Sequence, residues 1–466
     1  MTGESKLPDN DDIQDLLKVY ERLCAGRGNG FLSEDSFERI IDHFDDINSL
    51  SKAMEAAEMG VLQYPYSCTL LVKKADLLIA NRQYKRALVV LDKAEILDRN
   101  DIDIYVLRTD AYLALDMQDK AVALLEDAIS QFDGDERIDL LFELADVYDD
   151  YEAFEKIFDC LKLILDYDPN NEEALYKICF WTDFTGRSEE SIRLHLKIIE
   201  DFPYNDLAWF NLAAAYQGLR LFEKSIDAYQ YAIAINEKFD FAYRNMADAM
   251  MRLHRYKEAI ESLERVIELA RPEDLIYQAI GFCYEKIKNY AQARFYYRKA
   301  SHLNPDDAKI YLKVAGTYIK ESKHAQAIKY LDTSLRIKRL DPEFNLTMGE
   351  CLVKVGKLKE AVHYFMAAVQ ARPKNIKSWD ALIAALFVSG QFKEAQKQVE
   401  MARNQTVNKP MFDYYDSAIL LSIGKIKPGL DLLEHSIEAQ PRLLKKFLKL
   451  YPSSVKFPQV VELILK

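Results

Sequence analysis

The sequence reads WFNLAAAYQGLRLFEKSIDAYQYA from residue 209 to residue 232. Large apolar residues recur here every three or four positions, the spacing that places side chains on one face of an α-helix. Gly218 interrupts the pattern, which then resumes. The small residues Ala213, Ser225 and Ala232 stand where two helices would cross, and they allow the backbones to approach closely. The stretch therefore predicts two short amphipathic helices joined by a turn.

The same pattern returns every 34 residues along the chain. Its marker is a small residue in the second predicted helix. The markers are Ala53, Ala87, Ala121, Ser191, Ser225, Ala259, Ala293, Ala327, Ala361, Ala395 and Gly429. Between Ala121 and Ser191 the steps are 36 and 34 residues through Ile157, so two residues are inserted near 134–137. Twelve such units cover residues 34–443.

Glycine and proline mark the predicted breaks between helices. Glycine stands in the turn inside a unit at Gly186, Gly218, Gly356, Gly390 and Gly424. Proline, which suits the first turn of a helix, follows the pair at Pro65, Pro169, Pro203, Pro305, Pro373 and Pro441. The whole chain holds only 15 Gly and 13 Pro, which favours helices over the many turns of an α/β enzyme.

This arrangement resembles the tetratricopeptide repeat. A second copy of the quoted pattern reads Tyr277-x-x-Ile280-Gly281-x-x-Tyr284, followed by Ala293, Tyr297, Ala300 and Pro305. The resemblance implies an all-α fold, an α-solenoid whose antiparallel helix pairs stack into a right-handed superhelix. It also implies a concave groove lined by the first helix of each pair, and a scaffold or adaptor that binds an extended or helical protein segment there.

The repeat predicts how the chain is organised. We expect an N-terminal tail and capping helix (1–33), units one to three (34–137), units four and five (138–205), units six to twelve (206–443) and C-terminal capping helices (444–466). The glycine-rich segment 26–30 is interpreted as a linker. Bulky Ile157, Ile164 and Ile198 stand where small residues are expected. We therefore predict a change of superhelical pitch, or a joint, between about 134 and 200.

Charge is distributed unevenly along the 466 residues. The chain carries 75 acidic and 62 basic residues, but the balance is −20 in residues 1–169, −4 in 170–307 and +11 in 308–466. The overall acidity argues against a general nucleic-acid binder. The asymmetry bears on the choice of partner more than on the fold.

Four aspartates occupy the same position in four consecutive units: Asp42, Asp76, Asp110 and Asp146. Asp35, Asp103 and Asp139 precede three of them by seven residues. On the face that lines the groove in this family, such a ladder would attract a Lys/Arg-rich segment. The alternative is that repeat duplication multiplied these residues and that they bond only to neighbouring helices.

Later units change the chemistry of these positions. Aromatic residues (Tyr176, Phe180, Phe210, Phe241 and Phe282) and two asparagines (Asn211 and Asn245) suggest pockets and amide contacts for a peptide, or else packing between units. Lys309, Lys313 and Lys377 follow and favour an acidic segment. The two-carboxylate clamp of the chaperone-binding branch of this family is incomplete in every register.

No pattern of catalytic, metal-binding or cofactor-binding residues is present, and the ends are too short for a catalytic domain. The sequence thus predicts a non-enzymatic protein without metal or cofactor. The first ten residues lack the apolar core of a secretory signal, and the longest apolar run, 381–388, is too short to span a membrane. We therefore expect a cytoplasmic location.

Two other functions stay open at this point. One is an RNA-associated helical repeat that uses the basic C-terminal third, although the acidic half would repel phosphate. The other is a structural component that self-assembles into a homo-oligomer, because its ends differ in the sign of their charge.

Overall fold

A computed structural model describes residues 10–25, 31–406 and 410–465. Over these residues the chain forms 27 α-helices, two short 3-10 helices and no strand, which confirms the predicted all-α class. After one N-terminal helix, twelve helix pairs follow in tandem. The chain divides into two compact units, residues 1–237 (unit 1) and 238–466 (unit 2). The predicted linker 26–30 lies outside the described residues.

Unit 1 holds the N-terminal helix and six pairs. Its helices are α1 (Asn10–Cys24), α2 (Glu34–Asp46), α3 (Leu50–Gln63), α4 (Cys68–Ala80), α5 (Tyr84–Leu97), α6 (Ile102–Ala114), α7 (Gln118–Gln131), α8 (Gly134–Asp150), α9 (Phe154–Tyr167), α10 (Glu172–Thr185), α11 (Ser188–Asp201), α12 (Asp206–Gly218) and α13 (Phe222–Ile235).

Unit 2 holds six further pairs and the C-terminal helices. These are α14 (Asp240–Arg252), α15 (Tyr256–Leu269), α16 (Asp274–Lys286), α17 (Tyr290–Leu303), α18 (Ala308–Lys320), α19 (His324–Ile337), α20 (Pro342–Lys354), α21 (Leu358–Ala371), α22 (Ile376–Val388), α23 (Phe392–Gln405), α24 (Pro410–Ser422), α25 (Ile426–Ala439), α26 (Leu444–Leu450) and α27 (Pro458–Leu465). The 3-10 helices are Pro441–Leu443 and Pro452–Lys456. None of the helices in the described ranges combines the length and apolar character that crossing a membrane requires.

The 34-residue period reflects helices of nearly constant length. Every second helix of a pair has 14 residues, and most first helices have 13. Helix α8 is longer, with 17 residues, because the two residues inserted near 134–137 contribute to an extra N-terminal turn. The joint expected between about 134 and 200 stays a prediction.

Capping fixes where the first helices begin. In eight of them a Ser, Asp or Asn side chain accepts a hydrogen bond from a backbone N–H of the first turn, which satisfies a donor that the helix itself cannot. These residues are Ser33, Ser67, Asp101, Asn171, Asn205, Asp307, Asp341 and Asn375. The marker residues of the second helices are buried, as at Ala87 and Ala259.

Each turn inside a pair contains one residue with a left-handed backbone. Glycine takes this position at Gly186, Gly356, Gly390 and Gly424, and eight turns use another residue: Asn48, Arg82, Asp116, Glu152, Arg220, His254, Lys288 and Ser322. Gly218 differs from the prediction, because it ends α12 and the left-handed residue of that turn is Arg220. A Cβ atom on Gly218 would lie 2.6 Å from Ser188 Oγ, so close packing rather than the turn requires glycine there.

These turns allow a reciprocal test of backbone strain. Ser322→Gly should raise the free energy of unfolding by about 0.5–1 kcal/mol, because glycine adopts positive φ without a steric penalty. Gly356→Ser should lower it by a similar amount, since a Cβ atom there has no neighbour within 4 Å and only the backbone conformation opposes the change. Urea unfolding followed by circular dichroism measures both. Shifts of the same sign in the two variants would contradict this explanation.

Candidate binding face of the first helices

Helical spacing places the second, sixth, ninth and thirteenth residues of a first helix on one side. We call this side the first-helix face, with α8 counted from Ile138. The predicted site residues lie on it, except Tyr176 and Phe210, which occupy the adjacent fifth position. Successive first helices of unit 1 contact one another, as α2 with α4, α4 with α6 and α6 with α8. Side chains on this face can therefore interact across repeats.

Two members of the aspartate ladder have cationic partners from the next first helix. Lys73 donates to Asp42, and Lys177 Nζ lies 4.0 Å from Asp146 Oδ1. The Asp42 and Asp146 side chains are 55% and 72% exposed. Such exposed ion pairs stabilise a fold little. Bonding to neighbouring helices, the alternative that the sequence left open, describes these two aspartates.

The middle of the ladder is not compensated in this way. Asp76, Asp110 and Glu143, which we call the acidic cluster, form no ion pair with any described residue. Burial raises the pKa of Asp76, as does the charge of Asp45, and Lys73 partly opposes the rise. Burial and then the charge of Asp76 raise the pKa of Asp110.

Glu143 shows the largest effect in the acidic cluster. Burial, followed by the charges of Asp110, Asp146 and Asp150, raises its pKa to about 7. Near neutral pH the cluster therefore gathers negative charge in a partly dehydrated place. The sequence analysis missed Glu143, because it followed one residue type at the ninth position and Glu143 is at the sixth. An acid at the sixth position, where α4 and α10 carry Lys73 and Lys177, was the available signal.

Aromatic side chains follow on helix α10. Tyr176 and Phe180 are 63% and 60% exposed, and the sequence analysis missed Phe184, which is 56% exposed. The Phe180 and Phe184 rings stack with centroids 5.9 Å apart. Phe154 contacts Phe184 at 4.8 Å and so supports the pair from α9. We call Tyr176, Phe180 and Phe184 the aromatic patch; its exposure is typical of surfaces that bind other molecules.

Asn211 does not take its expected place in the groove. Its side chain is 2% exposed, and its Nδ2 donates to the Leu175 carbonyl at 2.8 Å, which ties α12 to α10. A buried amide of this kind holds adjacent repeats together and is not available to a ligand. Phe210 is half-buried, with its ring 5.5 Å from that of Tyr229.

The remaining predicted residues lie in unit 2. Phe241 and Phe282 are 57% and 39% exposed, and Asn245 is half-buried. Lys309 and Lys377 are exposed. Lys313 Nζ donates to Gln278 Oε1, and burial lowers the pKa of this lysine. By sequence, unit 1 holds 49 acidic and 24 basic residues, and unit 2 holds 26 and 38.

Across the described ranges, no group of three His, Cys, Asp or Glu side chains is placed to hold a metal ion. The face therefore offers charged and aromatic groups for contact with another molecule.

Models of known families match the middle of the chain. Residues 210–355 match the C-terminal ARM domain of tetratricopeptide repeat protein 21, and residues 342–375 match the tetratricopeptide repeat itself. These matches confirm the resemblance over residues 210–375. The chain is a helical repeat protein of many tandem helix pairs. No curated protein matches the sequence.

Solved structures of helical repeat proteins are similar to this chain. The C-terminal part of a TPR repeat-containing protein from Cytophaga hutchinsonii is 14% identical, with a TM-score of 0.45 and coverage of 52% of this chain and 98% of its own. The Cut9–Hcn1 hetero-tetramer of the APC/C gives 12% identity, a TM-score of 0.34 and coverage of 88% and 93%. YrrB, a TPR protein with an unusual peptide-binding site, gives 16%, 0.35, 40% and 96%. These values are too low to transfer a partner or a binding mode.

Proposed function

We propose that this helical repeat protein is a non-enzymatic protein-binding scaffold whose unit 1 binds a Lys/Arg-rich protein segment on the first-helix face. Repeat proteins built from tandem helix pairs use extended surfaces to bind other proteins. The observation that carries the proposal is the acidic cluster, in which burial and mutual repulsion raise the pKa of three carboxylates that lack an ion-pair partner.

A basic segment would complement this cluster. Lysine or arginine placed between the carboxylates forms charge-assisted hydrogen bonds and removes the repulsion among the acids. The interaction is electrostatic, so it weakens as salt shortens the Debye length. The exposed ion pairs of Asp42 and Asp146 would exchange their lysines for side chains of the partner at little energetic cost.

The aromatic patch supplies the second kind of contact. Exposed rings on α10 can stack with an arginine guanidinium through cation–π interaction. They can also cover the aliphatic part of a lysine or arginine side chain. The acidic cluster and the aromatic patch both belong to unit 1.

The first prediction for this function concerns charge at the cluster. In the full chain, D76N/D110N/E143Q should weaken the binding of a fluorescein-labelled 15-residue peptide of alternating Lys, Arg and Gly by at least about tenfold at about 0.05 M salt. Fluorescence anisotropy measures the affinity. At about 0.5 M salt the wild type and the variant should bind almost equally weakly.

The control changes net charge equally but elsewhere. E55Q/D119N/E189Q neutralises three exposed acids on the second helices α3, α7 and α11, and it should alter the affinity less than about twofold. Equal losses in both triple variants would show that net charge alone attracts the peptide. Absence of saturable binding of the basic peptide to the wild type would overturn the proposal.

A further inference from the structure

Unit 2 contains a cavity that the proposed function does not use. It has a volume of about 420 Å³ and opens on the first-helix face of α18, α20 and α22. Its wall is mainly apolar, with Ile319, Val353, Phe365, Ala384 and Val388 among the lining residues. Cavities of this size and character are typical of sites that bind a ligand or a side chain.

A small number of polar groups reach the cavity. Nδ1 of His324 is buried and forms no hydrogen bond with any described group. A buried ring nitrogen without a partner is costly, and a bound ligand can supply the missing hydrogen bond. Glu350 also lines the cavity. Burial raises the pKa of this carboxyl, and the nearby charge of Lys377 opposes the rise.

The charges around the cavity are mainly positive. Lys354 lines it and is exposed, and Lys377 acts on Glu350 from the next first helix. In the part of the chain that the structure describes, neither lysine forms an ion pair. By contrast, Lys320 at the end of α18 is bound to Glu285. Two uncompensated cations therefore stand beside the apolar cavity, against one half-buried acid.

We infer that this cavity binds an aromatic side chain of a partner protein in a segment where acidic residues flank the aromatic one. An aromatic ring in a preformed apolar cavity is the kind of central anchor that dominates binding energy. The flanking carboxylates would meet Lys354 and Lys377 and thereby fix the segment's position. The inference does not depend on the basic segment proposed for unit 1, since it concerns different residues and a ligand of opposite charge.

Three synthetic peptides distinguish the parts of this inference. The first is a fluorescein-labelled dodecapeptide with one central Trp flanked by Glu on both sides, the second has Ala in place of Trp, and the third has Lys in place of Glu. Fluorescence anisotropy with the full chain should show saturable binding of the first peptide. The second should bind at least about tenfold more weakly, and the third should bind more weakly at this cavity.

Substitutions then place the binding at the cavity. A384F fills it and should lower the affinity for the Trp–Glu peptide at least about tenfold. The matched control A214F puts the same side chain at the same helix position of α12 in unit 1 and should leave that affinity unchanged. A384F should leave the binding of the basic peptide to unit 1 unchanged as well, so a failure here and a failure of the proposed function are distinguishable.

Charge variants keep the inference testable if A384F does not fold. K354E reverses one exposed charge and should weaken the Trp–Glu peptide about tenfold at low salt. E350Q removes the only carboxylate among the residues that line the cavity, and it should leave the affinity equal or higher. If E350Q weakens binding, K354E does not, and the Lys-flanked peptide binds more tightly, the cavity takes a cationic ligand and the inference is wrong. Absence of saturable binding by all three peptides would also overturn it.

Discussion

Replacing Gly349 by Leu should lower the free energy of unfolding by about 3 kcal/mol. Gly349 lies in α20, where a Cβ atom would stand 2.6 Å from Phe365 Cδ1 and 2.8 Å from Phe365 Cζ. Phe365 is 2% exposed and cannot move into solvent without losing its buried contacts. A leucine adds three more carbon atoms beyond that Cβ, so both helices would have to separate or the ring would have to leave its rotamer.

The sequence indicates which second change would restore the packing. Residue sizes at these two positions, 16 apart, tend to compensate in other pairs: glycine stands opposite Tyr297, and alanine opposite leucine in Ala75/Leu91, Ala247/Leu263 and Ala315/Leu331. The first pair has the reverse order, Ile41 with Ala57, and both residues are buried. G349L/F365A imitates that first pair and should recover most of the loss.

Gly316 provides the matched control for this prediction. It lies inside α18, and a Cβ atom there would have no neighbour within 4 Å. G316L should therefore cost nothing and should stabilise the helix by up to about 1 kcal/mol, the difference in helix propensity between the two residues. Urea unfolding of the full chain by circular dichroism compares the three variants. A loss in G316L as large as in G349L, or no recovery in the double variant, would contradict the steric explanation.

Replacing Glu143 by Gln should raise the free energy of unfolding at pH 8 by about 1–2 kcal/mol and change it little at pH 4. The pKa of Glu143 is about 7 in the folded protein against an ordinary value of 4.5. The folded state thus binds this proton more tightly than the unfolded chain does. Stability is highest when the carboxyl is protonated and falls as the pH rises from about 4.5 to about 7.

Glutamine stays neutral throughout and so escapes this loss. The full shift would correspond to a larger energy, but the side chain is only partly buried and solvent screens its charge. Thermal or urea unfolding at pH 4, 6 and 8 measures the effect. E55Q, at an exposed position of α3, should change stability by less than about 0.5 kcal/mol at every pH. An equal gain for E143Q at pH 4 and pH 8 would show that ionisation of Glu143 is not the cause.

The same residue connects stability with the proposed function. If the acidic cluster binds a basic segment, E143Q should gain stability at pH 8 and lose affinity for the basic peptide. Binding sites often hold groups in arrangements that destabilise the free protein. A gain in stability with unchanged peptide affinity would leave Glu143 as a structural residue only.

Much of the fold could be predicted from residues close together in the chain. The spacing of Leu, Tyr and Phe predicts helices, and the 34-residue recurrence of a small residue predicts how many pairs there are. The insertion near 134–137 was read from the same period and corresponds to the longer helix α8. The exchange of Gly218 for Arg220 in the turn escaped prediction, because glycine also serves close helix contacts and composition does not separate the two uses.

The candidate site could be predicted only in part. Asp76, Asp110, Tyr176 and Phe180 were found by aligning equivalent positions. Position alone did not show that Asn211 bonds to the Leu175 carbonyl. Glu143 and Phe184 were missed, because the chain marks them with no repeated residue type.

The sequence by itself determined the class of fold, the period and the face on which charged and aromatic residues collect, because helix formation and amphipathic spacing depend on neighbours within a few turns. Only the tertiary structure decided which of those residues are paired, buried or exposed. Lys73 with Asp42, Asp110 with Glu143, and the cavity beside Lys354 each depend on side chains from successive helices, about 34 residues apart. Burial and charge pairing arise between repeats, where helix packing sets the distances.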